Sequence, residues 1–207
     1  MVITQQQRIG YDYIVDLIPQ GASVLDLGCG DGLLLQRLQN EKEVEGSGVE
    51  ISESGVTMCI EKGLYCLHGD IDDGLSDYKS NSFDYVILNQ TIQSTKRPFF
   101  VINEVMRIGK KAIVSFPNFG YFPTRLHLLL HGTMPKTKSF PYEWYESPNI
   151  HVTTIKDFRS FCHKENFPIQ CEGHFSVSSS GKHSRLKIGR NAWSQYGFFI
   201  LDGMNFG

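Results

Sequence analysis

Asp26, Gly28, Gly30 and Asp31 fall within one short stretch, VLDLGCGDG (Val24–Gly32), where carboxylates and backbone N–H groups would share a tight turn. Glycine at 28 and 30 lets the backbone take positive φ and lets a ligand approach without a Cβ in the way. A helix opening at Asp31–Gly32 aims its free N–H groups back toward that turn. With Asp26 and Asp31 present, the place repels a pyrophosphate and favours a ligand carrying positive charge or hydroxyls. Cys29 lies inside the turn and belongs to the same candidate site. Such a turn alone is a weak signal, so the other strand ends must supply the rest.

Three of them do. Glu50 closes GSGVEIS (Gly46–Ser52), about 20 residues past the first glycines, where a βαβ nucleotide fold places a carboxylate to accept both ribose hydroxyls. Ile51 follows it into the site. The alternative for Glu50 is a surface glutamate after a strand. Asp70 sits in HGDID (His68–Asp72), where it can accept from an exocyclic amine while the Ile71 N–H serves a ring nitrogen. A cap on the following turn is the other use of such an aspartate. Asn89 and Gln90 stand at the carboxyl end of a fourth strand and face the same cleft.

The elements that must position these residues follow from periodicity. A lead-in helix over Ile9–Ile18, ended by Pro19, covers one edge of a sheet. Strand one ends in the glycine turn, and Leu33, Leu34, Leu35 and Leu38 continue at helical spacing. A second strand, a helix over Ser54–Lys62, a third strand over Leu64–Leu67 and a fourth within Asn81–Gln93 come next. Tyr85–Leu88 is an unbroken apolar run, as a central parallel strand requires. A helix over Phe99–Arg107, stopped by Gly109 with Lys110 and Lys111 at its negative end, precedes strand five, Ala112–Phe116. Thr154 and Asp157 form a capping pair for a helix from Ile155 to about Glu165. Ile169–Val177 and Gly197–Gly203 read as strands around a polar loop, SSSGKHSR. The alternation predicts an α/β, doubly wound, seven-stranded, mostly parallel sheet with the last strand antiparallel. Residues 1–207 read as a single domain.

Pro117 to Asp157 breaks the rhythm. It holds five prolines and the aromatics Phe119, Tyr121, Phe122, Phe140, Tyr142, Trp144 and Tyr145. So long and aromatic a segment reads as a lid packed over the cleft. Tyr121, Arg125, Tyr145 and His151 are its candidates for lining a substrate pocket; a solvated helix charge is the other reading of Arg125, and a core or capping histidine that of His151. A net charge of −2 without a basic stripe excludes nucleic acid as a partner. The longest apolar run, near Leu126–Leu130, is far too short to span a bilayer. The five cysteines include no CxxC pair and no metal-ligand spacing, so no metal is expected and the thiols read as reduced. The opening residues lack a basic segment followed by an apolar core, and the expected location is cytoplasmic.

Taken in order, VLDLGCGDG, GVEIS, HGDID and FDYVILNQTIQ resemble the motifs of class I S-adenosylmethionine-dependent methyltransferases. More narrowly, the chain resembles the MetW family of methionine biosynthesis proteins. The residues that carry this are RPFFVINEVMRIGKKAIVSFPNFG, GTMPKTKSFPYEWYESPNIH and the terminal YGFFIL, besides the glycine turn. The resemblance implies a Rossmann-like methyltransferase fold with S-adenosylmethionine or S-adenosylhomocysteine as ligand. It places Asp26, Gly28 and Gly30 along the methionine moiety, Glu50 on the ribose, and Asp70 with Ile71 on the adenine. It also implies a part in homoserine acylation beside a homoserine O-acyltransferase, and it brings no catalytic residue. The alternative is an active methyltransferase on a small-molecule acceptor, since positioning alone can supply on the order of 7–11 kcal/mol of rate enhancement.

Overall fold

The computed structural model describes residues 10–137, 139–177, 183–185 and 190–203. Its strands are β1 (Ser23–Leu27), β2 (Glu45–Glu50), β3 (Tyr65–His68), β4 (Phe83–Asn89), β5 (Gly109–Pro117), β6 (Ile169–Val177), β7 (His183–Arg185) and β8 (Tyr196–Asp202). They form one sheet in the order β3-β2-β1-β4-β5-β8-β6-β7. The first five run parallel to their neighbours. β8 lies antiparallel between β5 and β6. This is the expected seven-strand arrangement with its last strand reversed, extended at one edge by the three-residue β7. Sequence reading gave that stretch to the polar loop, because no apolar alternation marks it. Residues 178–182 of the loop, and Ile9 at the head of the lead-in helix, lie outside the described residues.

The helices are α1 (Tyr11–Leu17), α2 (Leu33–Lys42), α3 (Glu53–Glu61), α4 (Pro98–Ile108), α5 (Phe122–His131), α6 (Ile155–Lys164) and the single turn α7 (Arg190–Trp193). Two apolar cores lie on the two faces of the sheet, and successive strand residues feed them alternately. Leu25, Leu27, Val86, Leu88, Val114 and Phe199 pack with α4 and α6. Val24, Ile87, Ile113, Phe198 and Ile200 pack with α1 and α2. Because both faces are covered, these strands read as continuous apolar runs rather than alternating ones.

One junction differs from expectation. Gly109 caps α4 in an extended conformation and is itself the first residue of β5, so no turn intervenes. Lys110 is therefore a strand residue, and its Nζ pairs with Asp84 Oδ1 at 2.8 Å instead of facing the helix end. Asp84 also accepts from the Ser23 N–H at 2.9 Å and the Ser23 hydroxyl at 3.0 Å, tying β4 to β1. With the Lys110 ammonium as the main cause, its carboxyl is held down at about 2.

The segment after β5 is rooted on Asn118, a fully buried side chain with every bond made. Its amide donates to the Asn191 and Ser194 carbonyls, at 2.8 and 2.7 Å. Its oxygen accepts from Gly120 N–H at 3.0 Å and Ile155 N–H at 3.2 Å. One residue thus pins both ends of the insertion, since Ile155 opens α6. The capping box of Thr154 and Asp157 forms as the sequence predicts.

Candidate ligand site at the carboxyl end of the sheet

β1, β2, β3 and β4 all release their chains at the same edge of the sheet, and the candidate residues gather there. Asp26 pairs in register with Gly48 of β2 and Ile87 of β4, so it stands in the middle of the sheet. Around it, Tyr11, Asp26, Gly28, Cys29, Gly30, Asn89 and Gln90 line an open cavity. A second open cavity is lined by Gly28, Val49, Ile51, Asp70, Ile71, Asp72, Thr91, Ser94, Thr95 and Lys96, among others. Gly28 lines both, so the two cavities adjoin at the glycine turn, and together they are the crevice beside four strand ends.

Glu50 lines neither cavity, but it is bonded to the glycine turn that both share. One of its oxygens accepts from the Gly30 N–H at 2.9 Å and the other from the Ser52 N–H at 2.9 Å. The two bonds fix the carboxylate against the turn and leave further lone pairs on both oxygens. Asp70 lines the second cavity, and its Oδ1 accepts from the Asp72 N–H at 2.9 Å in a local turn. Asp31 has a structural use. It accepts from the Leu33 N–H at 3.1 Å at the start of α2 and lies 3.5 Å from the Lys62 ammonium. The charged residues lining the crevice are Asp26 in the first cavity and Asp70, Asp72 and Lys96 in the second.

Asp26 is almost fully buried. Burial pushes its carboxyl up to about 8, with the negative Cys59 and Glu50 adding to the effect. A cation brought alongside would draw the proton off again. Gln90 takes φ of 56° although it is not glycine. Its N–H reaches both the Ser115 carbonyl at 3.0 Å and the Ser115 hydroxyl at 3.1 Å. Non-glycine residues held in this region cluster at binding sites.

Gly28 earns its place twice. Its φ is 75°, and a methyl group there would lie 2.6 Å from Thr91 Cγ2. Gly28→Ala is therefore expected to lower stability by on the order of 1–2 kcal/mol from the backbone alone. It should also push Thr91 into the passage between the cavities. Thermal unfolding should register the loss, and adding Thr91→Ala should recover only the part due to overlap.

Tyr11, Asp72, Thr91, Ser94, Thr95 and Lys96 line the crevice and were not found from sequence. The threonines and Ser94 follow the fourth strand end directly, and the same strand-end argument carried a few residues further would have reached them. Tyr11 comes from the helix before β1, where nothing local marks it. Asp72 also anchors α4, accepting from the N–H groups of Lys96 at 2.7 Å and Arg97 at 2.8 Å. The four insertion candidates are placed elsewhere. Tyr121 precedes α5, Arg125 is exposed on its first turn and Tyr145 is exposed beside Trp144. His151 touches the neighbourhood through its N–H, which donates to the Gln93 carbonyl at 3.0 Å. Among the described residues of 117–157, none lines either cavity.

A group of thiols lies behind the turn. Cys29, Cys59 and Cys66, from three different elements, bring their sulfurs within 4.8 Å of one another. None of the five cysteines is in a disulfide. The hydrogen bond from Cys29 is the main cause that draws the Cys59 thiol down to about 7.

The strand order, the reversed last strand and the crevice across the ends of β1 to β4 define a class I methyltransferase fold. A S-adenosylmethionine-dependent methyltransferase from Archaeoglobus fulgidus is similar, with TM-score 0.68, 14% identity, and 96% of this chain and 94% of that one covered. A chain from the complex between the Haloferax volcanii Trm112 methyltransferase activator and its proposed methyltransferase is similar at TM-score 0.68 and 15% identity, with 96% of this chain and 92% of that one covered. The chain itself belongs to the MetW family, methionine biosynthesis protein MetW, which it matches over residues 8–201. It is 36% identical over 179 residues to the bifunctional methionine biosynthesis protein MetXA/MetW of Rhodopirellula baltica. That match covers 82% of this chain and 29% of the length of the relative. No helix among the described residues is long and apolar enough to cross a membrane.

Proposed function

We propose that the crevice takes S-adenosylmethionine or its demethylated product, S-adenosylhomocysteine. The donor set suits such a molecule. Asp26, Gly28, Cys29 and Gly30, with Asn89 and Gln90, would hold the amino-acid end, where Asp26 offers a buried carboxylate to a positive charge. Glu50 would accept from the ribose hydroxyls, and Ile51, Asp70 and Ile71 would flank the adenine. The observation that carries this reading is the pair of adjoining cavities, which gather polar groups from four strand ends on either side of Gly28.

We further propose that the chain acts in methionine biosynthesis as the companion of a homoserine O-acyltransferase, with S-adenosylmethionine, a downstream product, as its signal. The joining of the MetXA and MetW names in one polypeptide of a relative supports this. So do exposed apolar side chains in the insertion: Leu129 is 80% exposed, Leu130 67% and Trp144 74%. Exposed apolar side chains of this size suit a protein partner. Tyr145, exposed beside Trp144, is assigned to the same role.

Co-purification with the cognate acyltransferase, followed by acylation assays with and without S-adenosylmethionine, tests the proposal. A stable complex whose rate responds to the ligand is expected. No complex and an unchanged rate would sink the partnership. Release of S-adenosylhomocysteine with a small acceptor would favour the methyltransferase reading instead.

A further inference from the structure

We propose that Cys29, Cys59 and Cys66 form a trithiolate site for one soft, closed-shell metal ion, of the Zn²⁺, Cd²⁺ or Cu⁺ kind, on the far side of the glycine turn. This does not depend on the ligand assigned to the crevice.

The three side chains come from three different elements. Cys29 is in the turn after β1, Cys59 near the end of α3, and Cys66 in β3. The sulfur of Cys29 lies 3.8 Å from that of Cys59 and 3.6 Å from that of Cys66. Ligand sulfurs about 2.3 Å from a tetrahedral metal ion stand roughly 3.8 Å apart. A disulfide needs about 2.0 Å. The cluster therefore has the spacing of a ligand set and would have to contract strongly to become a bridge.

The surrounding backbone is cut back to admit these sulfurs. Gly48 is the register partner of Cys66, and a Cβ at Gly48 would lie 2.5 Å from the Cys29 sulfur. A Cβ at Gly32 would lie 2.7 Å from the Cys59 sulfur. Neither glycine could become alanine without moving a thiol. Cys29 and Cys59 are buried and Cys66 half-buried, so the set is sheltered yet reachable from the β3 side.

Three sulfur donors select soft ions over Mg²⁺ or Ca²⁺. Binding would form three metal–sulfur bonds and release the thiol protons to solvent. The fourth tetrahedral position would be left to water or another exogenous donor. Since Cys29 also lines the Asp26 cavity, an ion here would brace the turn that shapes the crevice.

The test uses the full chain, purified with a phosphine reductant and titrated with Cd²⁺. A thiolate-to-metal charge-transfer absorption that saturates at one equivalent is expected, together with protection of three thiols from alkylation. Cys59→Ser and Cys66→Ser should each weaken Cd²⁺ binding by more than the roughly 10–100-fold seen when only an outer-shell partner is lost. Cys162→Ser and Cys171→Ser should leave it unchanged. Circular dichroism checks folding, and Cys66→Ser, at a half-buried strand position, keeps the test open if Cys59→Ser does not fold. No charge-transfer band, or one that persists in folded Cys66→Ser, would overturn the proposal. So would saturation that depends on Cys162 or Cys171.

Discussion

Glu50→Ala is expected to weaken S-adenosylmethionine binding by about 1.5–3 kcal/mol, roughly 10- to 150-fold. Hydrogen bonds to a charged group carry this much when one partner is lost, and Glu50 is the carboxylate bonded to the glycine turn that both cavities share. Its carboxylate is held from behind by the Gly30 and Ser52 N–H groups. Alanine therefore removes the proposed ribose acceptor and also releases the turn. Glu50→Gln separates the two effects. Its oxygen can keep one of the N–H bonds, while its amide group opposes the other donor and cannot accept a second hydroxyl. Calorimetric titration should rank wild type above glutamine and glutamine above alanine. Equal affinity in all three would remove Glu50 from the site, and no heat with the wild type would remove the ligand.

The second large effect belongs to Asp26 and depends on pH. Its carboxyl is raised from 3.8 to about 8 in the folded chain. Between those values the folded state holds a proton that the unfolded state has released. Stability should therefore fall as pH rises through this window, by at most about 1.4 kcal/mol per pH unit, and level off above it. Asp26→Asn has no proton to lose. Its denaturation midpoint should stay flatter across the same range, so that the variant gains on the wild type from pH 5 to 8. Parallel stability profiles would show that Asp26 is ionised throughout. Ligand binding reverses the preference. A positively charged amino-acid end beside Asp26 favours the carboxylate, so binding near pH 7 should release a proton. Calorimetry in buffers of different ionisation enthalpy reads that release directly. Asp26→Asn should abolish it and weaken binding, although the folded chain becomes more stable at alkaline pH.

The two variants probe features of different legibility. Glu50 could be found from the sequence because its place is set by local order: a glycine turn, one helix, one strand, then an acid. Asp26 could be found as an acid at a strand end, but its shifted titration could not. That shift arises from burial between β2 and β4, which follow it by about 20 and 60 residues. The insertion marks the opposite limit. Its prolines and aromatics read as a lid over the cleft, yet α5 turns its leucines outward and Tyr145 stands exposed. Aromatic composition says that a segment packs or docks, and only coordinates say against what.

Residue order alone determined the alternating strands and helices, the parallel core sheet with its reversed last strand, and the carboxylates and amides at the strand ends. These depend on periodicity and on neighbours within a few residues, which any chain carries in plain view. Tertiary structure decided which groups meet. It placed Tyr11 in the same cavity as Asp26, set Thr91 over Gly28, bonded Asp31 to the first N–H of α2 and drew three thiols from positions 29, 59 and 66 into one cluster. Those meetings depend on the register of the sheet and the packing of its faces, because such contacts are distances between separate elements that no local pattern records.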